Sequence, residues 1–218
     1  MNDPEVASGA DTPAGADDPA ESRDRLLRDE VVRRLVHASG TGLPLLYLLG
    51  LATWEQVSLL FAAGAVVALG LEVVRLSVGL DWAIYRHLIR EYERENVAGY
   101  ALYFVSSAPV AYAFAPRVAV PAILMLTLAD PISGLLSSGR LRAVKQTYVL
   151  LAMFGVSTLL ASPFVPPGAA ILGGAAAAVA DGVKPVVAGY VIDDNLTIPP
   201  AAAIAMSAGL AYLPSALL

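Results

Sequence analysis

The sequence predicts an all-α protein, a polytopic membrane helical bundle of about seven transmembrane helices with its N-terminus in the cytoplasm. Three observations predict it. Of 218 residues, 57% are hydrophobic and 15% charged, with a mean hydropathy of +0.65; soluble domains usually carry roughly 25% charge. The apolar residues fall in long runs, not in the alternating strands that a membrane barrel needs. Basic residues collect in alternate gaps between those runs, the asymmetry that orients membrane helices.

Taken in order, the chain begins with an acidic tail, residues 1–28, followed by the helical domain, residues 29–218. The first 30 residues hold nine acids against Arg23, Arg25 and Arg28. Rich in Ala, Asp, Gly and Pro, this tail cannot build a core and is expected to be disordered. It has no apolar h-region, so it does not read as a signal peptide. Apolar runs then fall at 35–51, 56–76, 99–115, 117–137, 147–162, 168–191 and 196–217, near the ~20 residues that one span requires. Pro163, Pro166, Pro167 and Gly168 end one run, and Pro199 and Pro200 interrupt the start of the last. Pro199 is expected in the first turn of the final helix, where its missing N–H is harmless. The expected cytoplasmic side carries Arg33 and Arg34, then Arg75, Arg86, Arg90 and Arg94, then Arg140, Arg142 and Lys145. Residues 77–98 form a loop in which 80–86 reads as an interfacial amphipathic helix. This pattern implies a multi-pass protein of the cell membrane. Twelve Arg against two Lys point to a GC-rich, salt-adapted prokaryotic source. The absence of cysteine excludes disulfides, thiolate metal sites and a cysteine nucleophile. With only His37 and His87, a His-rich metal centre is excluded as well.

The unusual polar groups converge on that cytoplasmic side. Ionisable residues inside a bilayer are costly and normally face a partner or a polar cavity. Asp130 stands among Leu and Ile residues, before Pro131, with no basic neighbour in its own run. Glu72 and Arg75 are three apart on one helix face and either pair locally or line the site. Asp181 and Lys184 have the same spacing and read equally as a neutralised structural pair or as functional groups. His37 reads as an interfacial residue or as a base. The tract Asp193-Asp194-Asn195-Leu196-Thr197 is a compact hard-oxygen cluster of the kind that suits Mg²⁺. It also reads as a turn that caps the last helix.

These residues resemble the dolichol kinase and phytol kinase family of CTP-dependent polyprenol kinases, relatives of the phosphatidate cytidylyltransferases. The likeness is carried by Glu30-Val-Val-Arg33-Arg34-Leu-Val-His37-Ala-Ser-Gly40 and by Glu72-Val-Val-Arg75. Arg90-Glu91-Tyr-Glu93 with Gly99-Tyr100-Ala-Leu-Tyr103-Phe104 continues it, and Asp194-Asn195-Leu196-Thr197-Ile198-Pro199 closes it. The family's central Gly-Asp-x-x-Ala motif reads Ala129-Asp130-Pro131-Ile132-Ser133 here, so Asp130 survives while the leading Gly is lost.

The resemblance implies a phosphotransferase with an alcohol acceptor, a lipid kinase moving a phosphoryl group from CTP to an isoprenoid alcohol with Mg²⁺ as cofactor. In that reading Asp130, Asp193 and Asp194 hold metal, and Asp130, Asp194 or His37 serves in proton transfer. Lys145, Arg142, Arg75, Arg90, Asn195 and Thr197 would bind nucleotide and phosphate. Arg34, Glu72, Glu93, Asp181 and Lys184 would support them. The implied partners are a membrane lipid and a nucleotide, not nucleic acid, with a homo-oligomer compatible with the bundle. Cytidylyl transfer to a phosphorylated lipid is the rival chemistry, and a non-catalytic or transporter-like paralogue the rival class.

Overall fold

The structure, a computed structural model, describes residues 31–32, 34–78, 96–137, 145–187 and 190–213. The acidic tail, the 80–86 segment and Arg33, Arg90, Glu93 and Arg142 lie outside the described residues.

Residues 34–39 are helical and turn at Gly40–Thr41 into α1, Gly42–Leu48. A long helix, α2, runs over Trp54–Val78, and α3 follows over Gly99–Ala113. Next comes one continuous rod, Pro116–Leu136. It consists of α4, Pro116–Leu124, a π-helical turn at Met125–Ala129, and α5, Asp130–Leu136. Helices α6, Thr147–Ala161, and α7, Pro167–Gly182, lead into a short antiparallel hairpin of β1, Val186–Val187, and β2, Tyr190–Val191. The last helix, α8, is Asp194–Tyr212.

The fold is all-α apart from that hairpin, but the seven-span membrane bundle is corrected. Among the described residues, two helices are long and apolar enough to cross a membrane, Trp54–Val78 and Pro116–Leu136. Two of the other runs are broken by polar and turn residues. The 35–51 run is split at Gly40–Thr41, and the 168–191 run stops at Gly182 and enters the hairpin. At about 1.5 Å per residue, α3 and α6, with 15 residues each, reach roughly 23 Å, short of the ~30 Å hydrocarbon layer. Of the two long helices, the Pro116–Leu136 rod is a core element, with 78% of its apolar window buried against 22% for α2. The multi-pass placement in a cell membrane, with its cytoplasmic and outer faces, is corrected on the same finding.

The core forms where the rod meets α7 and α8. Ile123, Met125 and Leu126 from the rod, Met153 from α6 and Ile198 and Met206 from α8 are fully buried. Helix α7 meets α8 through small residues, with Ala169 against Gly209 and Gly173 against Met206. Small side chains let the two backbones approach. At Gly209 of α8, a Cβ would stand 2.8 Å from the Ala169 backbone, so only glycine fits there. On the other side, α2 packs on α3. The Phe61 ring meets Tyr103 edge-on at 5.9 Å, and the Trp54 indole donates to the Ala111 carbonyl at 2.9 Å.

Proline placement decides several of the cross-helix bonds. Because α8 begins at Asp194, Pro199 sits beyond the first turn expected for it. There its absent N–H leaves the carbonyl four residues earlier without an intrahelical donor. That carbonyl is Asn195's, and the buried Ser106 hydroxyl of α3 donates to it at 2.6 Å. The substitute bond ties the start of α8 to α3.

Candidate metal centre

Three carboxylates converge in the interior: Asp130, Asp181 and Asp194, each offering an oxygen within 4.8 Å of the others. They come from three elements. Asp130 follows the π turn at the head of α5. Asp181 lies in the last turn of α7, and Asp194 is the first residue of α8. Their exposures are 8%, 0% and 2%. The cluster is able to coordinate a divalent metal ion, because hard oxygen donors at this spacing match cations with ligand distances of about 2.0–2.6 Å.

Two lysines border the triad. The Lys145 ammonium lies 2.5 Å from Asp181 Oδ1, 3.1 Å from the Ser133 hydroxyl and 3.8 Å from Asp130 Oδ1. Ser133 in turn donates to Asp181 Oδ2 at 2.6 Å. The Lys184 ammonium lies 2.7 Å from Asp194 Oδ2. Local structure explains both pairings. The Lys145 amide donates to the Gly182 carbonyl at 3.1 Å, which brings the start of the α6 segment against the end of α7. The hairpin pairs Val186 with Val191 and Val187 with Tyr190, and the Ile192 amide donates to the Pro185 carbonyl. Continuing that register brings Lys184 back beside Asp193 and Asp194. Asp181 and Lys184, three apart in sequence, therefore pair across the fold and not with each other.

Electrostatics leave this centre short of positive charge. Three carboxylates face two ammoniums among the described residues. Burial raises the Asp130 pKa well above the ordinary carboxylate range, and the neighbouring Asp194 and Asp181 raise it further. Lys145 pulls the other way without overcoming them. A bound cation would reverse this balance, since its charge exceeds that of any single neighbour.

The remaining candidates fall into separate groups. Asp193 is the N-cap of α8: its Oδ1 accepts from the Asn195 amide at 3.0 Å and from the Asn195 side chain at 2.5 Å. Asp193 and Asn195 are thus joined to each other at the helix start, next to the triad, and only Asp194 of that tract lies among the three converging carboxylates. Thr197 points back along the same turn, with its hydroxyl 3.4 Å from the Asp193 carbonyl. Glu72 and Arg75 form a buried clamp with the beginning of α3. Glu72 accepts from Arg75 Nη2 at 2.6 Å, from the Tyr100 hydroxyl at 2.6 Å and from the Ala98 amide at 3.0 Å. Arg75 also donates to the Asn96 carbonyl. Burial favours a neutral Glu72, but those hydrogen bonds outweigh it and hold the carboxyl below its ordinary value. His37 donates through Nε2 to the Leu126 carbonyl at 2.9 Å, and the same nitrogen lies 3.8 Å from Asp130 Oδ2. A nitrogen facing a carbonyl must carry the proton, so Nε2 is a donor in this arrangement and is not the atom that could accept a proton while the bond stands. Arg34 Nη1 donates to the Pro131 carbonyl at 2.7 Å.

Ser133 was not among the residues singled out from sequence. Its signal was present: three positions after Asp130 on a helix, it shares that residue's face.

Comparison with family models, curated proteins and solved structures finds no match. The CTP-dependent lipid kinase at a membrane face, and the cytidylyltransferase beside it, are corrected here. What the described residues build is a buried acidic triad inside a helical domain with two helices of membrane-crossing length.

Proposed function

We propose that the triad is a resident divalent-cation site of the Mg²⁺ class and that the protein uses it on a phosphate-bearing substrate. The observation that carries this reading is the convergence of Asp130, Asp181 and Asp194, buried and with oxygens within 4.8 Å of one another. All-oxygen donors favour Mg²⁺, Mn²⁺ or Ca²⁺ over softer metals. The metal would supply charge neutralisation at a phosphoryl oxygen. Lys145 and Lys184 then have a defined part. Their ammoniums sit on Asp181 and Asp194. Once those carboxylates share their charge with a cation, both lysines stand next to the metal with donors to offer. Compact ammonium charges suit phosphate oxygens, and Ser133 adds a hydroxyl on the same side.

The test is a titration of the metal-free protein with Mn²⁺, followed by electron paramagnetic resonance of the free ion. One ion per chain is expected to bind, and the binding is expected to be lost in Asp181→Asn. Wild-type and Asp181→Asn proteins that bind Mn²⁺ equally would remove the triad from the account.

A further inference from the structure

The π-helical turn beside Asp130 creates a problem in the backbone that one side chain solves. In that turn the Asp130 amide donates to the Met125 carbonyl, five residues back. The next bond of the same register would run from residue 131 to the Leu126 carbonyl, but residue 131 is proline and has no N–H. The Leu126 carbonyl is buried in the core and needs a donor from elsewhere. His37 Nε2 provides it at 2.9 Å. π turns of this kind are frequent at functional sites, and this one delivers the first carboxylate of the triad.

The segment bearing His37 is seated on the rod and on α3 at further points. Arg34, one helical turn earlier, donates to the Pro131 carbonyl just past Asp130. Its guanidinium fills the space that a Cβ at Gly134 would take. The Thr41 hydroxyl donates to Thr127 at 2.9 Å, and the Tyr103 hydroxyl donates to the Gly40 carbonyl at 2.7 Å. Backbone on both sides of Asp130 is thus held by side chains from residues 34–41.

We infer that His37 is the positioning residue of the metal centre: by satisfying the Leu126 carbonyl that the π turn and Pro131 leave without a helical donor, it fixes the direction in which Asp130 enters the triad. The inference rests on the metal reading above and adds to it the device that sets one ligand. Groups outside the ligand shell of a metal typically change its affinity about 10–100-fold when removed.

The test measures Mn²⁺ affinity and thermal unfolding in the full chain for wild type, His37→Leu, His37→Gln and the double variant His37→Leu with Pro131→Ala. Leucine offers no donor, so its affinity is expected to fall roughly tenfold or more. Glutamine has an amide donor that can reach the carbonyl and is expected to restore most of it. In the double variant, alanine returns an N–H to position 131, and the loss caused by leucine is expected to shrink. That last comparison keeps the inference testable even where His37→Leu alone fails to fold, because the double variant should then recover both folding and binding. A folded His37→Leu with wild-type affinity would overturn the inference. So would equal losses in the leucine and glutamine variants, or a double variant as impaired as the single one. A wild-type chain that binds no Mn²⁺ overturns instead the metal reading, and the inference with it.

Discussion

Replacing Asp130 by asparagine is expected to raise the thermal unfolding midpoint in metal-free buffer and to abolish the further rise that Mn²⁺ gives the wild-type protein. The two effects have opposite signs because one carboxylate causes both. Without metal, Asp130 is a buried acid whose charged form is disfavoured first by desolvation and then by Asp194 and Asp181. The variant removes that penalty, and a single stabilising change commonly adds roughly 0.5–2 kcal/mol. For a chain of this length that is about 1–8 °C. In the wild type, metal at a hundredfold excess over its dissociation constant adds about 2.7 kcal/mol, roughly 5–10 °C. The pH dependence follows from the direction of the shift. A carboxyl whose folded pKa is raised takes up protons on folding, so its contribution to stability is lost as pH rises from the unfolded range, about 4, towards the folded value. The advantage of Asp130→Asn should therefore vanish near pH 4 and grow above it. Calorimetry across pH, with and without Mn²⁺, reads all of this. An asparagine variant that is destabilised without metal would mean that Asp130 is held by structural pairing alone.

Lys145→Met is expected to have the largest cost of any single change at the centre. It strips the ammonium from Asp181, whose side chain is fully buried, and leaves the Ser133 hydroxyl at 2.6 Å as its side-chain donor among the described residues. Breaking a buried pair in this way typically costs about 3–5 kcal/mol, because the surviving charge keeps its desolvation penalty. Two comparisons identify the cause. Saturating Mn²⁺ should recover part of the loss by giving Asp181 a new counter-charge. The double change Lys145→Met with Asp181→Leu should be more stable than Lys145→Met alone, since no orphaned charge remains. Urea unfolding of the three proteins decides it. A double variant that merely adds the two losses would show that packing, not charge, is at stake.

The helical class was legible in the sequence, and the acids at 130, 181 and 194, which the fold brings together, stood out there because carboxylates in apolar surroundings contrast with their background. Their partners were not legible. The spacing of Asp181 and Lys184 suggests one helix face, yet α7 ends at Gly182 and the hairpin carries Lys184 to Asp194. Local periodicity holds no information about where a two-residue hairpin will return the chain. Of the adjacent acids 193 and 194, the resemblance to the kinase family begins at Asp194 alone. The helix boundary separates them, making the first a cap and the second a member of the triad. The membrane bundle was overestimated for a related reason. Apolar content reports how much surface must leave water, whereas span length depends on where Gly40, Gly182 and the prolines break the helices. The π turn lay beyond reach, since Met125–Ala129 carries no residue pattern that distinguishes it from ordinary helix. Pro131 marks its consequence, a carbonyl without a helical donor, and His37 at a distance of 89 residues supplies the answer.

The most direct measurement of the central claim is anomalous scattering from a crystal of the protein soaked in Mn²⁺. The account predicts one peak enclosed by Asp130, Asp181 and Asp194, with carboxylate oxygens at about 2.0–2.6 Å from it and the Lys145 and Lys184 ammoniums facing its open side. A crystal that takes up Mn²⁺ elsewhere while the three carboxylates keep their lysine partners would contradict it.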